Sequence, residues 1–368
     1  MSRKAGILLS AVVVILVVLW IWTLVVPRNS ISIGGSTSVD PLMQRLTNQY
    51  KKTSKESFIY SSSGSQGGIK NIESNAYKMG FISKEIAADD PSISLVENGT
   101  NNGLTADLSD ENQLTTYLQK TRGFGDQKHK LQIATDAIIL VYHAPTSFNE
   151  QFKDRFTITI ENQVLDVNSE QLIKLIYGKN PTWAGIAESL STTQHLDKDE
   201  EVISELANSK ENQLKAFSRE PGSGTRNSFE HQMKLDSDLS STIHSSVLNS
   251  NGMMFQEMAR ASSFGYLSLN YLDAVKANGD LNLLTIKANG TTYDPSQLED
   301  FSDYPLTRPY IGLFKAGLDS KLLNQIAAFI AWMVLAQKDV DSIPALQYKK
   351  EGLTPKFSLD GVEYQINA

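Results

Sequence analysis

Ser218-Arg219-Glu220-Pro221-Gly222-Ser223-Gly224-Thr225-Arg226 is the stretch on which the reading of this chain turns. It sets a guanidinium, small hydroxyls and two glycines directly ahead of an apolar-periodic segment carrying Phe229 and Met233. Glycines let a backbone turn its N–H groups inward toward a small anion. The segment that follows reads as a helix, whose unpaired N-terminal N–H groups and positive dipole end favour negative charge. Arg219 can add a two-pronged contact to a tetrahedral oxyanion. A serine-capped helix after a glycine turn would look the same, so this stretch alone leaves both readings open.

Two further turns of the same kind shift the balance toward an anion. Gly34-Gly35-Ser36-Thr37-Ser38 follows the apolar strand Ile31–Ile33 and leads into a helix with Val39, Leu42, Leu46 and Tyr50 on one face and Pro41 in its first turn. The run from Ser61 to Gly68 follows a strand around Phe58–Tyr60 and precedes a helix carrying Ile69 and Ile72. Strands are also expected at Met79–Ile82, Ile133–Tyr142, Phe264–Leu267, 281–286 and Ile311–Phe314, with helices at Ser169–Tyr177 and Leu322–Leu335. This alternation predicts an α/β fold with largely parallel sheets, whose ligand-binding turns gather at the carboxyl ends of strands. No turn ends in Gly-Lys-Ser/Thr, which disfavours a nucleoside triphosphate.

A length of 368 residues with 40% hydrophobic content supports two compact domains with real cores. The net charge of -7 and the lack of basic runs in the body argue against nucleic acid. A bound anion must then be held by local donors. Arg3 and Lys4 precede an unbroken apolar run from Ala5 to Val26, bounded by Pro27 and Arg28. At helical rise this run spans roughly 33 Å, enough to cross a bilayer core. Trp20 and Trp22 lie near its far end, and the basic residues place the body outside the cell. With no cysteine in the chain, disulfides, thiolate catalysis and a cysteine-linked lipid are all excluded. Residues 1–28 are therefore expected to be a single-pass membrane anchor.

On Gly35-Ser36-Thr37 with Pro41, Gly64-Ser65-Gln66-Gly67-Gly68-Ile69 and Ser218–Arg226, the chain resembles the periplasmic-type phosphate-binding proteins that feed ABC phosphate importers. Thr135-Asp136-Ala137-Ile138, Ile176-Tyr177-Gly178 with Trp183, Gly265-Tyr266 and Tyr304-Pro305-Leu306 add to the match, in family order across residues 31–315. The resemblance implies a type II two-lobed binding-protein fold. Lobe 1 would hold 31–135 and 267–368, and lobe 2 would hold 136–266, with crossings near Thr135-Asp136 and Gly265-Tyr266. It implies a monomeric, non-enzymatic binder that holds inorganic phosphate by hydrogen bonds without metal or cofactor and delivers it to membrane permease subunits. Thr37, Ser38 and Ser65 would donate from one lobe, and Arg219, Ser223, Gly224 and Thr225 from the other. Ser36, Gly64 and Lys78 are further candidates. Lys78 stands where the family carries an aspartate that accepts the proton of hydrogen phosphate, so weaker discrimination against sulfate is expected.

Other classes leave weaker traces. Ser223 lacks the Gly-x-Ser-x-Gly elbow of a hydrolase, and the five histidines share no ligand spacing; His231, soon after the anion loop, is the one to watch. A membrane-tethered sensor or a sulfate-type binder could use the same fold.

Overall fold

The computed structural model describes residues 30–86, 93–96, 107–233, 245–298, 301 and 303–365. The apolar run expected to cross the membrane lies outside them, and no helix among the described residues is long and apolar enough to do so. The elements that position the site are, in chain order, β1 (Ser30–Gly35), α1 (Asp40–Thr53), β2 (Ser57–Ser62), α2 (Gly64–Glu73), β3 (Met79–Ile82), β4 (Lys128–His143), β5 (Lys215–Arg219), α3 (Gly224–Gln232), α4 (Asn251–Arg260), β6 (Ser263–Ser268), β7 (Thr307–Lys315), α5 (Ser320–Lys338) and β8 (Thr354–Leu359).

Local sequence explains most of these. In α1, Leu42, Met43, Leu46 and Tyr50 form the buried stripe, Pro41 sits in the first turn and Lys51 and Lys52 face the negative end of the dipole. In α5 the Asp319 carboxylate accepts from Leu322 N at 3.0 Å and begins the helix. Phe329 on α5 stacks on Phe58 of β2, with ring centroids 4.4 Å apart, and so fixes the helix against the sheet.

Two bodies share one sheet. The strand order is β2-β1-β3-β7-β4-β6-β5, ending on the short strand Ser246–Leu248. β1 pairs in parallel with β2 and β3, and β5 pairs in parallel with β6 and with Ser246–Leu248. The centre is antiparallel: β7 against β3 and β4, and β4 against β6. The expected largely parallel sheet is therefore mixed, because β4 and β7 carry the chain between the bodies in opposite directions.

The first core joins Ile31–Ala134 to Tyr310–Tyr364, and the second runs from Ala137 to Leu306. A smaller cluster that includes Ile72, Ile82, Ile311 and Leu313 lies beside β3 and β7. The chain passes from the first core to the second at Thr135–Ala137 and returns between Leu306 and Tyr310, about forty residues after Gly265-Tyr266. Leu267, Leu269, Val275, Leu281, Leu284 and Ile286 all pack into the second core, and β7 makes the return. The physical reason is that β6 pairs with Ile138–His143, the part of β4 already beyond the crossing. Residues 354–359 form β8, which pairs with β4 at Leu131–Thr135.

Within the second body, Asp199 is fully buried and takes a bidentate contact from Arg155, at 2.6 and 2.8 Å, with further donors from Gln151 Nε2 and Leu196 N. The Arg155 hydrogen bonds hold its carboxyl well below the usual range. A folded-state depression contributes stability above the unfolded carboxylate pKa, near 4, that is lost as pH falls toward the folded value. Asp199→Asn should cost about 3 kcal/mol at pH 7. Urea denaturation should show the wild-type and variant stabilities converging as pH drops below about 4; a constant gap would refute the linkage.

Candidate functional site

All three serine- and glycine-rich turns lie at the carboxyl ends of their strands and face one another across the seam between the bodies. After β1, Tyr60 and Tyr310 donate to the carbonyls of Ser36 (2.7 Å) and Ser38 (3.0 Å) and pin the first turn. Burial pushes both phenols well above their ordinary range, so they remain neutral donors. The turn after β5 is held by Tyr266, which shares a hydrogen bond with Ser218 Oγ and accepts from Arg219 N. Burial pushes the Tyr266 phenol up to about 12. Phe229 stacks on the same ring with centroids 4.1 Å apart, which orients α3 so that its N-terminus points into the seam.

The hydroxyls meet there. Ser38 Oγ and Thr225 Oγ1 share a 2.9 Å hydrogen bond across the bodies, and Ser36 Oγ donates to Ser83 Oγ at 2.9 Å. Ser65 Oγ accepts from Ser83 N at 3.3 Å. Ser223 caps α3 through Arg226 N. Gly222 takes a φ of +87°, which glycine adopts without strain. Gly224 is required by proximity: a Cβ there would lie 2.5 Å from both Ser65 Oγ and Ser83 Oγ. Gly64 sits at the start of α2 opposite Glu220.

Arg219 is completely buried. It is gripped in bidentate fashion by Glu220 at 2.9 and 3.0 Å, and donates to Asn251 Oδ1 at 2.6 Å and across the seam to Thr37 Oγ1 at 3.0 Å. Arg226 instead pairs with Glu230 at 2.7 Å and with the Arg219 carbonyl. A second buried guanidinium joins the cluster. Arg308 donates to Asp136 at 2.7 and 2.9 Å, to Ser38 Oγ at 3.1 Å, to Ser268 Oγ, and to Ser83. Asn251 Nδ2 bridges Ser38 and Ser268 at 3.1 Å each.

Every donor singled out in the sequence thus reaches this cluster: Thr37, Ser38, Ser65, Arg219, Ser223, Gly224 and Thr225, with Ser36 and Gly64 beside them. Lys78 does not. It precedes β3, its backbone N–H pairs with Ser32 O, and its ammonium binds Asn75 O at 3.1 Å. Ser83 marks the ligand end of that strand, so at strand rise Lys78 lies roughly 16 Å from it along the chain. Arg308, Asn251, Ser83 and Ser268 were not read as site residues. One signal was available: Asp136 interrupts an apolar strand and Arg308 opens another, and charges buried in strands require partners.

The cluster is rich in donors, and both of its carboxylates are engaged by guanidiniums. Among the described residues no group of His, Asp and Glu is arranged to hold a metal. Thr121, His129 and Asp360 do form a hydrogen-bonded series, at 3.2 and 2.6 Å, with the order of a nucleophile, base and acid. They lie in the first core, with Thr121 and His129 fully buried and Tyr117 also bound to Asp360. Their role is to hold β4 to the turn after β8.

The chain belongs to the PBP superfamily: the family model of the PBP superfamily domain matches residues 26–337. The fold is similar to that of a candidate phosphate ABC transporter substrate-binding protein with bound phosphate from Clostridium perfringens, at 19% identity and TM-score 0.52, covering 89% of this chain and 99% of that one. An ABC-type phosphate transport receptor from Vibrio cholerae aligns at 18% identity and TM-score 0.50, covering 88% and 98%. In sequence, an uncharacterized lipoprotein of Mycoplasma genitalium is 24% identical over 345 residues, 85% of this chain and 80% of that protein. These likenesses establish the two-lobed α/β fold.

Removing Asp136 leaves the Arg308 guanidinium buried without its counter-charge. Asp136→Ala should destabilise the chain by about 3–5 kcal/mol, read as a lowered urea midpoint. An unchanged midpoint would mean that the pair does not hold the crossing.

Proposed function

We propose that the protein is an extracellular, membrane-tethered solute-binding protein that captures inorganic phosphate between its lobes and delivers it to an ABC importer. One observation carries this reading: two buried guanidiniums and hydroxyls from both bodies converge at the N-terminus of α3. Charged and neutral donors in a seam that excludes water suit a small tetrahedral oxyanion. The site hydroxyls pair with one another, with Ser83 and with basic or amide side chains, an arrangement for binding rather than for turnover. In this reading lobe 1 comprises residues 30–135 with 310–365, and lobe 2 comprises 136–306. The two would hinge on β4 and β7. Residues 1–28 supply the tether, since no cysteine is present to carry a lipid like that of the mycoplasmal relative. Isothermal titration with phosphate, arsenate and sulfate tests the reading directly, and turnover of p-nitrophenyl phosphate would replace it with a phosphatase.

A second reading, a binder that accepts sulfate as well, is favoured by the engagement of Glu220 and Asp136. Monohydrogen phosphate then meets no carboxylate that is not already paired with a guanidinium, and sulfate meets little extra repulsion. Sulfate should bind within about tenfold of phosphate, against the 10⁴–10⁵ available to a site built to pair a ligand hydroxyl. Lys78→Asp should leave both affinities unchanged, because Lys78 lies off the site; a change in either would return it to the cleft.

Arg219→Ala should weaken phosphate binding by roughly thirty-fold to several-thousand-fold, the consequence of losing a charged partner in a desolvated site. Arg226→Ala should cost much less, since its guanidinium is committed to Glu230. Equal losses in titration would sink the assignment of Arg219.

A further inference from the structure

A cavity of about 490 Å³ opens beside the donor cluster, bounded by Lys84 after β3, by Asn227, Ser228 and Gln232 on α3, and by Thr307 and Arg308 at the start of β7. Its volume falls within the roughly 300–1,000 Å³ of small-molecule sites, and a single phosphate would fill only a fraction of it. It is continuous with the cluster at two points. Arg308 lines the cavity and also donates to Ser38 and Ser83. Ser228 lines it and donates to the Ser83 carbonyl at 3.3 Å. Along α3, Ser228 and Gln232 lie about 4.5 and 10 Å beyond Thr225 at helical rise. A group attached to an oxyanion at the helix N-terminus could therefore run along this flank.

The lining defines what such a group would be. Lys84 lies on one side, and α3 supplies Asn227, Ser228, His231 and Gln232 on the other. Gln232 also donates to Thr307 O at 2.8 Å and so closes the floor between the bodies. The two acids on the rim have basic neighbours: Glu230 is held by Arg226 at 2.7 Å, and Glu85 faces Lys130 at 3.8 Å. Amides, a hydroxyl, the His231 imidazole and an ammonium can hydrogen-bond the hydroxyls of a substituent, while the carbon stems of the same side chains pack on its carbon skeleton.

We propose that the site takes phosphate monoesters of small polyols as well as orthophosphate, with the phosphoryl group in the donor cluster and the alcohol in this cavity. This rests on the oxyanion-binding reading. Calorimetric titration of the full chain with orthophosphate, glycerol 3-phosphate and pyrophosphate tests it. Glycerol 3-phosphate should bind within about threefold of orthophosphate or more tightly. Asn227→Trp, which fills the cavity without touching the donor cluster, should weaken the ester by about tenfold or more while changing orthophosphate by less than about threefold. Asn227→Ala should leave both ligands bound and serves as the control for the fold. Rejection of the ester by about a hundredfold, an equal loss of both ligands in Asn227→Trp, or a clear preference for pyrophosphate would overturn the proposal while leaving the oxyanion site standing. Failure of all three ligands to bind would instead overturn the reading on which it rests.

Discussion

The ion pair between Arg308 and Asp136 is the interaction on which the rest of the architecture depends. The two residues lie opposite each other in the register of β4 and β7, the strands that carry the chain out to the second body and back. Both are buried, so their desolvation must be offset by each other and by the hydroxyls of Ser38, Ser83 and Ser268. Those hydroxyls come from both bodies. The contact that satisfies the crossing is therefore also the floor of the donor cluster, and neither can be rearranged without the other.

The electrostatic character of the cluster follows from this. Arg219 and Arg308 each hold a carboxylate, so the guanidiniums enter the seam already neutralised. An incoming anion would meet oriented dipoles: hydroxyls, the N–H groups at the start of α3 and the remaining guanidinium donors. Such an arrangement suits a chain of net charge -7, whose long-range field repels anions, because short-range donors in a desolvated seam are little affected by charges farther than a Debye length.

Much of this was legible in the sequence, for identifiable reasons. The serine- and glycine-rich turns could be read because glycine, hydroxyl residues and a following apolar period are local signals, and Phe229 and Met233 do form the buried face behind the Ser223 cap. Helices such as α1 and α5 declared themselves by spacing. The return crossing was hard to read because Gly265-Tyr266 and Arg308 both sit in apolar strands, and only pairing shows which strand goes back. Lys78 stayed open as a candidate because the distance between the two ends of a short strand cannot be seen in a residue count. Asn251 and Ser268 were invisible for a related reason: a single amide and a single hydroxyl acquire meaning only from what lies across from them.

The late position of β8 has a consequence for how the chain is made. The second body is contiguous, from Ala137 to Leu306, and holds what it needs to collapse once those residues have emerged from the ribosome. The first body cannot close at that point. Its core includes Phe357, Leu359 and Tyr364, and β8 seals β4 beside the crossing. The part synthesised earlier therefore waits for residues beyond Leu353, with β1, β2 and β3 holding an unfinished edge until these emerge. The order of folding is then the reverse of the order in which the two bodies begin.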